Sequence, residues 1–240
     1  MQFAPLYPIL YRVLKPCFPG CLWSAPTERT ATDRSSSVAL TFDDGPHPEY
    51  TPALLEELDS LAVPATFFCL GRSVSRHPQW VRAIDRGGHG LGLHGYEHRS
   101  FPSLGRDRLQ ESLARTRSAI ARACGWDLEQ VARRVRDVRP PNGVFTPQVL
   151  RWLREWNYRP VMWSVVPEDW CEPGVSVVVE RVLAQVTDGS VIVLHDGYYG
   201  GRDVVATVAA LVPQLRDRGY QFCLIDEFWS RWETARDRRS

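Results

Sequence analysis

Short apolar segments and helix-forming segments alternate along most of this chain. The apolar segments are SVALTF (37–42), ATFFCL (65–70), HGLGLH (89–94), DVRPP (137–141), YRPVMWSVV (158–166), SVIVLHD (190–196) and YQFCLI (220–225). The stretch 106–123 between them carries Leu109, Leu113 and Ile120 at helical spacing. Strands separated by helices pair in parallel, buried on both faces. We therefore predict an α/β fold, a distorted and incomplete (β/α) barrel of about seven parallel strands, with a doubly wound open sheet as the competing architecture.

The chain has 240 residues, a length that suits one large domain or two small ones. We predict an N-terminal arm and linker at 1–36, a main domain at 37–230 and a charged C-terminal tail at 231–240, frayed at its end. The net charge is +1, so the composition does not indicate a nucleic-acid partner. The oligomeric state is left open.

The first 23 residues are apolar and aromatic but are interrupted by four prolines. They lack the basic leader of a secretory signal and the roughly 20 continuous apolar residues of a membrane span. We favour an irregular arm packed on the domain, and peripheral membrane contact through residues 1–23 is the alternative. A disulfide between Cys17 and Cys21 is left open.

Ionisable residues collect at the carboxyl ends of five predicted strands. In an α/β barrel these ends meet at one rim, where active sites assemble. Any one of these residues has an ordinary structural explanation, such as an exposed Asp-Gly-Pro turn, but their joint placement indicates a site. In chain order they are Asp43-Asp44, His94 with His98, Arg139, Asp169 and His195.

This set of side chains suits metal-assisted hydrolysis of an amide or an ester. His94 and His98, four residues apart, form with one carboxylate a three-ligand set that leaves coordination positions open, as in catalytic zinc sites. The other carboxylate of the Asp43-Asp44 pair then serves as general base on a water at the metal. His195 would protonate the leaving group. Arg139 and Asp169 would be supporting charges that tune the base and the acid.

These motifs resemble those of the polysaccharide deacetylases with a NodB-homology domain, carbohydrate esterase family 4. The order and spacing agree from about residue 37 to residue 225, so the likeness covers the domain predicted at 37–230. The five motifs read TFDDGP (41–46), HGYEH (94–98), RPPNG (139–143), Asp169-Trp170 and Val193-Leu194-His195. TFDDGP together with all four later motifs is highly specific.

The resemblance assigns a role to each matching residue. Asp43 would be the base and His195 the acid, while Asp44, His94 and His98 would hold a divalent metal, zinc first, with cobalt, nickel or manganese as alternatives. The backbone amide of Asn142 would stabilise the oxyanion. Trp170 and Leu194 would shape the pocket for the acetyl methyl group.

Three positions depart from the family pattern. Gly95 replaces a usual Ser or Thr, so a hydrogen bond that steadies the histidine loop is expected to be missing. Asn142 replaces a common aromatic residue, which changes the groove wall. Val166 replaces the first acid of the fourth motif, which would leave the base or the acid less well tuned unless Asp169 substitutes for it.

The implied activity is metal-dependent removal of acetyl groups from N-acetylated sugars of a polysaccharide, such as peptidoglycan or a chitin-like glycan. The alternatives are a small-molecule cyclic amide or imide hydrolase of the same superfamily and a catalytically impaired glycan-binding domain. Aromatic residues near the predicted rim, among them Tyr96, Trp163 and Tyr198, favour a sugar. The family favours the cell envelope or periplasm; without a clear signal peptide, the cytoplasm is the alternative.

Overall fold

A parallel sheet forms the centre of the molecule. The computed structural model describes residues 4–26 and 36–237, and within them all seven strands pair in parallel. The strands are β1 (Ser36–Asp43), β2 (Ala65–Cys69), β3 (Gly90–Leu93), β4 (Asp137–Val138), β5 (Arg159–Pro160), β6 (Ser190–His195) and β7 (Tyr220–Phe222). Their order is β5-β4-β3-β2-β1-β6, with β7 beside the first half of β1. The predicted incomplete (β/α) barrel is confirmed.

Helices follow the strands and cover the outside of the sheet. They are α1 (Tyr7–Cys17), α2 (Tyr50–Ser60), α3 (Gly71–Arg76), α4 (Pro78–Arg86), α5 (Arg106–Cys124), α6 (Leu128–Arg134), α7 (Pro147–Glu155), α8 (Val175–Gln185), α9 (Val204–Asp217) and α10 (Ile225–Asp237). The predicted helical stripe of α5 is confirmed, because Leu109, Leu113 and Ile120 are all fully buried. Gly125 ends α5 in the left-handed region, at φ +71°, which suits a residue without a side chain.

The central strand β1 brings the functional ends of its neighbours together. Asp43 lies beside Phe68 of β2 on one side and beside His195 of β6 on the other. Helices cover one face of the strand and the barrel interior lies behind the other, so the adjacent residues Ala39 and Leu40, which point to opposite faces, are both fully buried. The register therefore fixes the last residues of β1 and β6 next to each other.

The gap between β5 and β6 is spanned by isolated bridges rather than by a long strand. The predicted strand at 158–166 is wrong in length, because β5 covers only Arg159–Pro160. The chain then changes partners: Met162 N–H donates to Leu22 O, whereas Val165 pairs with Ile192 of β6. Ser24 pairs with Ser190, so residues of the N-terminal segment help to close the barrel.

Both ends of the described chain are more regular than predicted. The N-terminal arm contains the helix α1 in place of an irregular segment, and its proline at position 8 falls in the first turn, where proline is tolerated. Residues 231–237 of the predicted tail continue α10, with Ala235 buried, and only 238–240 lie outside the described residues. The linker predicted before residue 36 falls mostly outside them as well, and Ser36 itself opens β1.

Cys17 and Cys21 are both free thiols, so the disulfide left open from the sequence is not formed. Among the helices that the structure describes, none combines the length and the apolar character needed to cross a membrane.

Candidate metal centre and active site

Two adjacent carboxylates leave the end of β1 in different directions. Asp43 is the last strand residue, whereas Asp44 has φ +76°, in the left-handed region that aspartate tolerates better than most residues. The change of backbone conformation turns the two side chains apart. Each carboxylate therefore has its own set of neighbours.

Asp44 converges with the two histidines of the second motif. Its Oδ1 lies 3.5 Å from His94 Nε2 and 3.5 Å from His98 Nε2. One potential ligand atom from each of the three residues lies within 4.8 Å of the others. The structure therefore brings together the three residues predicted to hold a metal.

A hydrogen bond on the far side of the ring fixes the orientation of His94. Its Nδ1 lies 2.8 Å from the carbonyl oxygen of Arg139, which selects the tautomer with Nδ1–H and directs the lone pair of Nε2 towards Asp44. Burial lowers the pKa of His94 to about 3. The ring is therefore neutral at pH 7, so its approach to Asp44 is not an ion pair, and neutral imidazole is the form that binds metals.

The donor set fits a divalent cation. Asp44 Oδ1 is buried and has no hydrogen-bond partner among the described residues, so the carboxylate oxygen facing both imidazoles lacks a compensating donor. Donor atoms about 2.1 Å from a tetrahedrally coordinated ion lie about 3.4 Å from one another, close to the spacing of Asp44 and the histidines. Two imidazoles and a carboxylate are also the ligand types of catalytic zinc sites.

Arg139 holds the second carboxylate from inside the barrel. Its Nη1 donates to Asp43 Oδ1 at 2.7 Å and to Thr41 Oγ1 at 2.8 Å, and its Nη2 donates to the carbonyl oxygen of Met162 at 3.0 Å. Arg139 is only 1% exposed and Asp43 is also buried. Because the pair is desolvated and hydrogen-bonded, Asp43 is held in one orientation beside the Asp44 cluster.

His195 enters the site from β6 and is paired with Asp169. Asp169 Oδ1 lies 2.8 Å from His195 Nδ1, and its Oδ2 accepts the backbone N–H of the same histidine at 2.7 Å. Burial opposes the charge on the ring, but the Asp169 carboxylate outweighs it and, with Asp44 and Asp43, raises the pKa of His195 to about 9. The imidazole is therefore protonated at neutral pH, and Nε2 is a proton donor.

The functional side chains line one cleft of about 780 Å³, within the usual size range of ligand pockets. Asn142 lies on its rim with φ +59°, and its side chain donates to Ser100 Oγ. Trp170 packs edge-on against His195 at a ring distance of 5.2 Å.

Val166, which replaces the first acid of the fourth motif, also lines the cleft, and its backbone bonds to the side chain of Gln185. Since Arg139 holds Asp43 and Asp169 holds His195, both charged groups have partners despite the valine.

The predicted pocket role of Leu194 is not what the structure shows. Successive strand residues point to opposite faces, so the neighbour of His195 on its own face is Val193, two residues away. Val193 lines the cleft, whereas Leu194 is fully buried in the core. The alternation along β6 would have identified Val193 from the sequence.

The loop that carries His98 is held without a hydroxyl at position 95. Gly95 has φ +87°, and an added Cβ would lie 3.0 Å from Glu97 O, so glycine suits this conformation. The backbone N–H of Tyr96 donates to Ser112 Oγ on α5, and the carbonyl oxygens of residues 95 and 96 accept bonds from Gly71 and Arg72. These bonds supply the support that was expected to be missing.

Two residues of the site were given no role from the sequence. Asp196 is fully buried, accepts a hydrogen bond from Thr51 and stands against Gly45, where a Cβ would lie 2.2 Å from its Oδ2. Burial raises the pKa of Asp196 to about 7. Tyr7 of α1 lines the same cleft, although it is far from every motif in the sequence.

Comparisons with known proteins agree with this geometry. The polysaccharide deacetylase family profile matches residues 30–161. The chain is 37% identical over 194 residues to a chitooligosaccharide deacetylase of Sinorhizobium fredii, covering 77% of this chain and 87% of the relative. It is 32% identical to a peptidoglycan-N-acetylglucosamine deacetylase of Bacillus cereus, covering 79% and 86% of the two chains. A crystal structure of the Bc1960 peptidoglycan N-acetylglucosamine deacetylase is similar with a TM-score of 0.77 and 30% identity, over 86% of this chain and 91% of that one. The chain belongs to the polysaccharide deacetylase family.

Proposed function

We propose that the protein is a metal-dependent deacetylase that hydrolyses the N-acetyl groups of N-acetylglucosamine residues in a glycan. The observation that carries this proposal is the convergence of Asp44, His94 and His98 in a cleft that also holds Asp43 and His195. The relatives named for deacetylation of chitooligosaccharide and peptidoglycan support the substrate class. Both substrates contain the same N-acetylated sugar, so the shared chemistry is amide hydrolysis at that sugar.

Asp44, His94 and His98 would hold the ion through one carboxylate oxygen and two imidazole nitrogens. When bound, a divalent cation supplies Lewis-acid polarisation of the acetyl carbonyl and lowers the pKa of water. We propose zinc first, because a neutral imidazole pair with one carboxylate suits it, with cobalt, nickel and manganese as the ions to be compared.

Asp43 would accept the proton of the attacking water as a carbon–oxygen bond forms at the acetyl carbonyl. Arg139 keeps the carboxylate of Asp43 in place, because the guanidinium of Arg139 is itself fixed by three further contacts, to Thr41, Met162 and Phe68. The backbone amide of Asn142 would donate to the developing oxyanion.

His195 would donate its proton to the sugar nitrogen as the carbon–nitrogen bond breaks. The products are acetate and the free amine of the sugar. Asp169 orients the imidazole and keeps it protonated, and the indole of Trp170 shields it from water on one side. The acid and the base thus have separate partners, so one can be protonated while the other is ionised.

Acetate release from N-acetylglucosamine oligomers, with chelated and zinc-loaded protein, tests this function. We expect release only with metal. Asp43→Asn should lower turnover at least about a thousandfold while leaving zinc binding intact, because the ligand atoms belong to other residues. Asp107→Asn, at the exposed start of α5, is the matched control and should retain wild-type turnover. Metal-loaded protein that releases no acetate from any oligomer would contradict the proposal and favour a glycan-binding domain.

We also propose that the protein works at the cell envelope, with the outer face of α1 on an anionic lipid bilayer. Leu6, Ile9, Leu10 and Val13 are large, exposed and apolar, and they occupy one short helical stretch. Arg12 lies between them and Lys15 follows two residues after Val13, and the described residues 4–26 contain no acid. The local charge is therefore positive and suits anionic headgroups.

Co-sedimentation with vesicles tests this contact. We expect binding to phosphatidylcholine vesicles that contain phosphatidylserine, and weak binding to pure phosphatidylcholine. The double variant Ile9→Ser, Val13→Ser should lose it, whereas Leu128→Ser, at an exposed leucine elsewhere, should not. Unchanged sedimentation of the double variant, or dimerisation through this face in size-exclusion chromatography, would overturn the membrane proposal.

A further inference from the structure

The N-terminal helix contributes one side chain to the cleft. Tyr7 lines it together with Asp44 and His195, while its neighbours Leu6 and Ile9 face outwards. The helix lies outside the sequence motifs that define the family, so no motif assigns a role to Tyr7. The presence of this ring in the cleft of the proposed acid therefore points to a function of its own.

Tyr7 is packed edge-on against the two tryptophans of the cleft wall. Its ring lies 5.5 Å from that of Trp163 at 89°, and 6.4 Å from that of Trp170 at 85°. Trp170 in turn contacts the ring of His195. All three aromatic residues are only partly buried, and all three line the cleft, so their surfaces form a corner that opens beside the reacting groups.

Hydrogen bonds on both sides of Tyr7 hold it in this position. Before it, the backbone N–H of Ala4 donates to Glu168 Oε2 at 3.0 Å, next to Asp169 in the sequence. After it, the hydroxyl of Tyr11 and the ammonium of Lys15 bond to Ser24 Oγ. The ring is fixed before any ligand enters, which lowers the entropy cost of binding.

The chemistry of this corner suits a sugar ring. The C–H groups on one face of a pyranose are apolar and weakly positive, and they pack against the negative faces of aromatic rings. The phenol also carries a hydroxyl that can bond to sugar hydroxyls. Burial, with the Glu168 carboxylate, raises the pKa of Tyr7, so this hydroxyl stays protonated at neutral pH.

We propose that Tyr7, with Trp163 and Trp170, forms a sugar-binding subsite that packs against a pyranose ring next to the N-acetyl group being hydrolysed. This inference rests on the proposed deacetylase function. In this proposal α1 has two roles: the helix covers the barrel, and it also extends the substrate cleft. Residues that precede the family motifs in the sequence therefore help to select the glycan.

Steady-state kinetics on N-acetylglucosamine tetramers test the subsite. Tyr7→Ala should raise KM about five- to tenfold with little change in kcat, because it removes packing made equally in the ground and transition states. Tyr7→Phe should recover most of the affinity, since it keeps the ring. Tyr220→Ala is the matched control, because it removes the same atoms from a half-buried tyrosine of β7 that does not line the cleft.

The same variants in direct binding separate this inference from the proposed function. If wild-type protein releases no acetate, the deacetylase proposal fails, and calorimetric titration of the tetramer into zinc-loaded Asp43→Asn protein still measures the subsite. The subsite is supported if Tyr7→Ala weakens that binding about five- to tenfold and Tyr220→Ala does not. Equal effects of the two variants on KM and on binding, at equal loss of thermal stability, would overturn the inference and leave Tyr7 a structural residue.

Discussion

The pairing of Asp169 with His195 makes a quantitative prediction. The ordinary pKa of histidine, 6.5, is raised to about 9 at His195, and this increase of about 2.5 pH units corresponds to about 3 kcal/mol in favour of the protonated ring. Asp169→Asn removes the charge that causes most of the increase, while burial continues to oppose protonation. We expect the pKa of His195 to fall by about 2 pH units in the variant.

The sign of the stability effect follows from linkage. Because the folded pKa of His195 lies above its unfolded value, the stabilisation is fully present below about pH 6.5 and is lost as pH rises through about 9. Urea unfolding of metal-free wild type and Asp169→Asn should therefore differ by up to about 3 kcal/mol at pH 6, and the difference should shrink above pH 9.

Two assays check this reasoning. Histidine NMR titration of the chelated protein reads the pKa of His195 directly. In the chelated protein the protonated fraction of His195 at pH 8 should fall from about 0.9 to about 0.1, and turnover of the zinc-loaded variant should accordingly fall more at pH 8 than at pH 6. Asp203→Asn, an acid that pairs with Arg202 instead, is the control. A wild-type His195 that titrates near 6.5, or an unchanged pH profile in Asp169→Asn, would refute the argument.

Three further perturbations test the site. Arg139→Met leaves the Asp43 carboxylate buried without its partner and should destabilise the fold by about 3–5 kcal/mol in urea unfolding; an effect below about 1 kcal/mol would contradict a desolvated pair. His98→Ala removes one of three metal donors and should weaken zinc binding at least about a hundredfold in competition with a chromogenic chelator, whereas unchanged affinity would exclude His98 as a ligand. Gly45→Ala brings a methyl group against the buried carboxylate of Asp196 and should lower stability by about 1–3 kcal/mol in thermal unfolding, whereas an unchanged melting temperature would contradict this close packing.

The sequence allowed much of the site to be located because parallel strands bring their carboxyl ends to one rim. Asp43 and His195 end neighbouring strands in register, and the cleft also contains His94 and Arg139, as the strand-end rule predicts. The rule needs only the strand boundaries and the direction of pairing, both of which an apolar run and an intervening helix reveal.

Other features depended on contacts that local patterns do not encode. The chain between Val161 and Val165 bonds to three different segments within five residues, which no periodicity reveals. Tyr7 reaches the cleft through contacts with residues more than 150 positions away in the sequence. The orientation of Leu194 was different: strand alternation relative to His195 was available, and it contradicts the pocket role.

The bridges made by Leu22 and Ser24 have a consequence for synthesis. Their partners, Val161 and Ser190, leave the ribosome about 140 and 170 residues later. At about 5–20 residues per second, the N-terminal segment waits roughly 7 to 30 seconds with Leu22 and Trp23 unprotected before the barrel that buries them exists. During that interval its exposed apolar residues can be bound by a chaperone. Slowing translation after codon 26 should therefore increase aggregation of the nascent chain, and supplying a holdase should reduce it.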